Sequence, residues 1–123
     1  MNEAACFKKR RKKNCMIKKY NKLIRDRIPE IIKETDWKPT IRKLKKVDFL
    51  NALKKKISEE ARELIRAKDK KGIINEIVDI QELVDALILE IGLSKPKIKK
   101  LQVVKRKKRG GFKKRLFLIR EEK

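Results

Sequence analysis

Two runs of apolar residues at three- and four-residue spacing constrain the fold of this chain more than any other feature. They lie within residues 47–91 and comprise, in the first run, Leu50, Leu53, Ile57, Ala61 and Leu64, and in the second, Ile73, Ile77, Ile80, Val84, Leu87 and Ile91. This spacing predicts two amphipathic α-helices, one from about Val47 or Asp48 to Ala67 and one from Ile73 to Ile91. Asp48 is the predicted N-cap of the first helix. The turn at residues 69–72 is short, so the two helices should form an antiparallel hairpin.

Acidic residues recur in the same geometry on both predicted helices. At about 100° per residue, Glu60 falls inside the first apolar stripe and Glu63 lies about 60° to one side of it. Glu76 lies between Ile73 and Ile80 of the second stripe, and Asp79 is again displaced to the same side. Pairing the helices would gather four carboxylates, which suggests a site for a hard metal ion because isolated carboxylates facing a core are costly.

A simpler interpretation of the first acidic group is a set of solvated ion pairs. Lys55 and Lys56 precede Glu59 and Glu60 by one helical turn, and such pairs contribute only a few tenths of a kcal/mol. The repetition of one acidic geometry on two helices favours the metal site.

Charge and length restrict the class of protein. The chain has 123 residues and a formal charge of +22 at pH 7, which is typical of proteins that bind nucleic acids or anionic surfaces. Residues 47–92, however, carry ten acids and eight bases, so the positive excess lies in the flanks. A single domain of this length buries a modest core, which makes oligomerisation plausible.

Several kinds of chemistry are excluded by composition. The chain has no histidine, so imidazole bases and histidine-ligated zinc are ruled out. Cys6 and Cys15 lack the spacing of a zinc site and are interpreted as free thiols. The sequence contains no long apolar run and no secretory signal, so we expect a cytoplasmic protein that does not bind membranes.

The flanks suggest two domains of unequal kind. Residues 1–15 contain the basic block Lys8 to Lys13 and should be a disordered extension, either a solvated tail or a nucleic-acid-binding arm. Residues 16–123 form the folded domain, with a short helix near Pro29 that runs towards Thr35. A third long helix should begin at Ser94-Lys95-Pro96 and run to about Lys108, before an apolar strap at residues 116–119.

Three motifs in order carry a resemblance to a known family. Glu59-Glu60-Ala61-Arg62-Glu63, a twelve-residue spacer and Glu76-Ile77-Val78-Asp79 together resemble the acidic motif of the MazG-like, all-α nucleotide pyrophosphohydrolases. The segment from Tyr20 to Ile32 is similar to the N-terminal signature of the phosphoribosyl-ATP pyrophosphohydrolase-like branch, and the segment from Lys107 to Phe112 is similar to its C-terminus. The resemblance covers about residues 16–119.

This resemblance implies an all-α fold in which a homodimer, or a higher homo-oligomer, completes the helical hairpin into a four-helix bundle. It implies Mg²⁺, with Mn²⁺ as a substitute, held by the family's metal-binding acids at Glu60, Glu63, Glu76 and Asp79. Glu59 and Glu63 become the candidate catalytic residues. The implied reaction is hydrolysis of a nucleoside triphosphate to the monophosphate and pyrophosphate, which would remove non-standard nucleotides.

Substrate binding should also require cations. Lys22, Arg25, Arg27 and Arg109 lie in the two flanking signatures and are candidates for phosphate binding, with ordinary surface charge as the alternative. Two other functions remain open. One is phosphoribosyl-ATP pyrophosphohydrolase of histidine biosynthesis, and the other is a basic nucleic-acid-binding helical module without catalysis. Weak, nonspecific nucleic-acid binding through the basic tails is compatible with either enzyme.

Overall fold

The protein is helical throughout its regular structure. The computed structural model describes residues 16–123, and within them the chain forms four α-helices and no β-strand. These are α1 (Ile28–Lys33), α2 (Lys46–Arg66), α3 (Lys70–Glu90) and α4 (Lys95–Arg109). The predicted all-α class is therefore confirmed. The predictions of a disordered extension and of free thiols at Cys6 and Cys15 concern residues outside this range.

The chain divides into two compact units, one ending at Arg62 and the other beginning at Glu63, within α2. In the first unit, Pro29 occupies the first turn of α1, where its missing N–H costs no helical hydrogen bond. Leu53 of α2 is almost fully buried, with 1% of its surface exposed. The Trp37 ring is half-buried and lies 4.1 Å from the Lys18 ammonium, measured to the ring centroid.

Two helix starts differ from the predictions. Helix α2 begins at Lys46, so Asp48 lies in its first turn rather than at the N-cap, where a carboxylate still interacts favourably with the helix dipole. Helix α3 begins at Lys70, three residues before the predicted start. Its N-cap is Asp69, whose Oδ1 accepts a hydrogen bond of 2.7 Å from the Gly72 N–H. The sequence predicted a turn at residues 69–72 because glycine is typical of turns, so Asp69 was not recognised as an N-cap.

The second unit joins α3 to α4 through a compact cap. Gly92 has a φ of +78°, and its N–H donates to the Leu89 carbonyl, while the Leu93 N–H donates to the Ile88 carbonyl. This pair of hydrogen bonds is a Schellman motif, and Ile88 is one of the buried apolar residues of the chain. Ser94 then caps α4 by accepting a hydrogen bond from the Lys97 N–H, so the predicted start of this helix is confirmed.

The C-terminal segment has no regular structure. Residues 116–119 lie outside every helix, and Leu116 and Phe117 are 85% and 90% exposed. The strap and the four-helix bundle of a homodimer therefore stay predictions. Within residues 16–123, no helix combines the length and the apolar character needed to cross a membrane.

Candidate metal centre

Three half-buried carboxylates are the candidate metal ligands. Glu60 lies in α2, within the first unit. Glu76 and Asp79 lie in α3, within the second unit, and one carboxylate oxygen of each lies within 4.8 Å of the other. Glu76 and Asp79 point to neighbouring directions because they are three residues apart on one helix. Helix α3 thus places the two acids of the second half of the acidic motif side by side.

Glu76 has the most unusual environment of the three. Its Oε1 accepts a long hydrogen bond of 3.4 Å from the Asn75 side-chain amide. Its Oε2 is buried, with no hydrogen-bond partner. A buried carboxylate oxygen without a donor costs free energy, since the charge has lost water and gained nothing in return. A cation is the kind of partner that would remove this cost.

The chemistry of the group fits a small divalent cation. Mg²⁺ binds oxygen ligands at 2.0–2.1 Å, so two ligands on opposite sides of it are about 4.2 Å apart. The Glu76 and Asp79 oxygens, within 4.8 Å of each other, are close to this requirement. Magnesium also prefers a few carboxylates that leave positions for water and phosphate oxygens, and three acids satisfy that preference.

The other two acids of the motif have basic neighbours on their own helix. Glu63 is not one of the three half-buried acids, and its Oε1 is 3.0 Å from the Arg66 guanidinium. Glu59 is 3.9 Å from the Lys56 ammonium. Both are surface-accessible ion pairs at three-residue spacing, and the pair at Glu59 agrees with the simpler interpretation, which gave Lys55 and Lys56 as partners of Glu59 and Glu60. Their roles as metal ligand and proton acceptor stay predictions.

The predicted phosphate-binding residues are all exposed. The Lys22 ammonium lies 5.1 Å from the centroid of the Tyr20 ring, and Arg27 lies 3.6 Å from the Glu30 carboxylate. Arg109 is the last residue of α4. The assignment of Lys22, Arg25, Arg27 and Arg109 to phosphate binding stays a prediction.

Sequence reasoning missed one neighbour of the site. Asn75 precedes Glu76 and donates the only hydrogen bond that the structure gives to that carboxylate within residues 16–123. An asparagine beside a glutamate is too common to have been selected from the sequence. Whether the Asn75 amide reaches the Glu76 carboxylate depends on the side-chain rotamer of Asn75 in α3.

Comparison with known proteins identifies a family. The family model described as phosphoribosyl-ATP pyrophosphohydrolase matches residues 17–101, which is more than half of the chain. The matched region contains the N-terminal signature and all the acids discussed above. The resembling C-terminal segment, from Lys107, lies beyond it. No significant match was found among curated proteins or among solved structures.

Proposed function

Because the chain belongs to the phosphoribosyl-ATP pyrophosphohydrolase family, it is a hydrolase acting on phosphoric anhydrides, and we propose that its substrate is a nucleoside triphosphate. The products would be the nucleoside monophosphate and pyrophosphate. The observation that carries this proposal is the set of half-buried acids inside the region that matches the family, Glu60, Glu76 and Asp79. A nucleic-acid-binding module without catalysis is not retained, since the family consists of enzymes.

We assign metal binding to the half-buried acids. Glu60, Glu76 and Asp79 would hold Mg²⁺, and Glu63 would complete the set from the neighbouring turn of α2. When bound, the cation supplies positive charge that offsets the negative charge of the phosphates during hydrolysis. The buried, partnerless Oε2 of Glu76 supports the assignment, because the carboxylate is poorly solvated without a cation.

Proton transfer falls to carboxylates. The chain has no histidine, so Glu59 and Glu63 are the natural acceptors of a proton from the attacking water. Their side chains are 41% and 52% exposed, so water reaches both. The lysine and arginine one turn away, Lys56 and Arg66, would hold these carboxylates in place by their ion pairs.

A second candidate substrate is phosphoribosyl-ATP, which the description of the matching family favours. It carries the same triphosphate group, so the residues proposed above would serve either reaction. The choice depends on how the base and the added ribose are recognised. House-cleaning of non-standard nucleotides is the role we propose, and histidine biosynthesis is the role that the second substrate would imply.

A pyrophosphate-release assay tests the proposed function. The purified protein would be given a panel of standard and modified nucleoside triphosphates and phosphoribosyl-ATP, each with Mg²⁺ and with a chelator. Metal-dependent pyrophosphate release, fastest with a nucleoside triphosphate, is the expected result. A clear preference for phosphoribosyl-ATP would select the second candidate. Release of single phosphate, or hydrolysis that survives the chelator, would contradict the proposed chemistry.

We also propose that the enzyme is a homodimer. The first half of α3 exposes four apolar residues on one side of the helix, which we call the α3 patch: Ile73, Ile74, Ile77 and Val78. Their exposed fractions range from 37% to 56%. A contiguous patch of large apolar side chains is unusual on a monomeric surface and supports coverage by a second copy.

A further inference from the structure

The C-terminal quarter of the chain has an extreme charge. Residues 91–120 contain thirteen lysines and arginines and no aspartate or glutamate. All thirteen side chains are exposed. Lys95 and Arg120 pair with acids outside this stretch, Asp85 and Glu122. The other eleven basic residues have no acidic residue within the segment, so it presents a concentrated positive potential to solvent.

Helix α4 has an inner and an outer side. Ile98 and Val103 are half-buried, and Lys95 reaches Asp85 of α3, so these three residues mark the inner side. At 100° per residue, the opposite side carries four lysines with Leu101 and Val104 between them. We call these lysines the outer face of α4: Lys97, Lys100, Lys107 and Lys108.

The outer face is not neutralised by the protein itself. Within the described residues, the ion pair formed by α4 involves Lys95, and no lysine of the outer face takes part in one. Lysines in solvated ion pairs contribute little to the stability of a helix. Four unpaired ammonium groups on one side of a helix repel one another. An extended polyanion would remove this repulsion.

We propose that the outer face of α4 binds the phosphodiester backbone of a nucleic acid, as a property separate from hydrolysis. The eleven-residue step from Lys97 to Lys108 extends roughly 16 Å along the helix, and one strand of a duplex carries about five phosphates over that length. The four lysines thus match the linear charge density of a nucleic-acid strand. Contacts of this kind position a backbone without selecting a base sequence.

The helix is less suited to a membrane surface. A helix that lies in a lipid interface needs a broad apolar face of large residues opposite its charged face. In α4 the exposed apolar residues of the outer face are Leu101 and Val104, and lysines flank them. The lack of a broad apolar face therefore favours a phosphate polyanion over a lipid surface.

The test measures how salt weakens binding. A fluorescently labelled 20-base-pair DNA duplex would be titrated with the full-length protein at several KCl concentrations. The test variant combines Lys97→Gln, Lys100→Gln, Lys107→Gln and Lys108→Gln, since glutamine keeps helix propensity and removes charge. The matched control combines Lys38→Gln, Lys43→Gln, Lys54→Gln and Lys71→Gln, four exposed lysines outside α4.

The outer-face variant should bind more weakly, on the order of tenfold or more at low salt, and its log–log salt slope should fall by about 3 to 4. The control variant should change the slope by less than about 1. Circular dichroism and pyrophosphate release check the fold, since none of these lysines belongs to the metal centre. If the fourfold variant unfolds, Lys100→Gln with Lys107→Gln should still lower the slope by about 2.

Equal slopes for the outer-face and control variants would overturn the proposal, because the charge would then act without a defined surface. Cosedimentation with phosphatidylserine vesicles supplies a second arm. Loss of vesicle binding in the outer-face variant, with an unchanged slope for DNA, would assign this surface to a membrane and also overturn the proposal.

Discussion

The Lys95 ammonium lies 2.9 Å from Oδ2 of Asp85 and joins the start of α4 to the last third of α3. The Gln81 side chain donates a second hydrogen bond, of 3.2 Å, to Oδ1 of the same carboxylate. The hydrogen bond from Lys95 is the main reason that the pKa of Asp85 lies below its usual value, although partial burial opposes the shift. The same hydrogen bond raises the pKa of Lys95 above its usual value.

This pair should make stability depend on pH at both extremes. A carboxyl group with a lowered pKa stabilises the fold above its unfolded pKa, near 4, and that contribution is lost as the pH falls through the folded value. The contribution of Lys95 is present below its unfolded pKa, near 10.4, and is lost as the pH rises through the raised folded value. Asp85→Asn should therefore lower the unfolding free energy between about pH 5 and pH 9, and the difference should shrink below about pH 4.

Denaturant unfolding at a series of pH values measures this difference. Glu90→Gln, also on α3 and without this pair, should give a difference from the native protein that varies little with pH. A constant effect of Asp85→Asn at every pH would show that the carboxylate contributes through packing rather than through its ion pair.

Helices α2 and α3 were predictable from the sequence because their apolar stripes are long and regular. Their starts were less so. Asp48 and Asp69 both precede an apolar run, and only the structure shows that Asp69 caps a helix while Asp48 lies within one. Capping depends on the backbone angles of one residue, which composition does not determine.

The candidate site was likewise only partly predictable from the sequence. Glu60 and Glu76 could be selected because an acid inside an apolar stripe needs compensation. Glu63 has the same spacing from Glu60 as Asp79 has from Glu76, yet the Glu63 carboxylate pairs with Arg66, whereas the Asp79 carboxylate lies near that of Glu76. From the sequence, Glu63 could pair with a basic neighbour or bind a metal ion. The sequence does not determine which of the two Glu63 contacts. The burial of Oε2 of Glu76 depends on three-dimensional packing, which the sequence does not show.

The cap at Asp69 makes a simple stability prediction. Asp69→Ala removes the hydrogen bond from Oδ1 to the Gly72 N–H and should destabilise the protein by about 1 kcal/mol. Asp69→Asn keeps an oxygen acceptor and should cost much less. Chemical denaturation of both variants measures the difference. Equal losses would indicate that charge at the start of α3, rather than the hydrogen bond, provides the stabilisation.

The proposed homodimer predicts that the α3 patch is covered in solution. Multi-angle light scattering at micromolar concentration should give twice the mass of one chain. Ile77→Glu places a charge in the patch, where Ile77 is 52% exposed in the isolated chain, and should shift the mass towards that of a monomer. Ile41→Glu is the control, because Ile41 is 59% exposed and lies outside every helix. A native protein with the mass of one chain would remove the basis for a dimer.

Replacement of Glu76 by glutamine separates a metal ligand from a structural acid. The amide keeps the size of the side chain but lacks the charge that a divalent cation requires. Loss of a residue that only hydrogen-bonds to a metal ligand lowers activity roughly 10- to 100-fold. Loss of a ligand itself should therefore lower turnover by more than that. Without metal, stability should rise or stay level, because the side chain at position 76 no longer repels the nearby carboxylate of Asp79. Saturating Mg²⁺ should raise the melting temperature of the native protein and have little effect on the variant.

Glu82→Gln, an exposed acid on the same helix, should change neither turnover nor the metal-induced shift. If Glu76→Gln instead destabilised the metal-free protein by about 3–5 kcal/mol, Glu76 would be one partner of a buried ion pair and its assignment to the metal would be wrong.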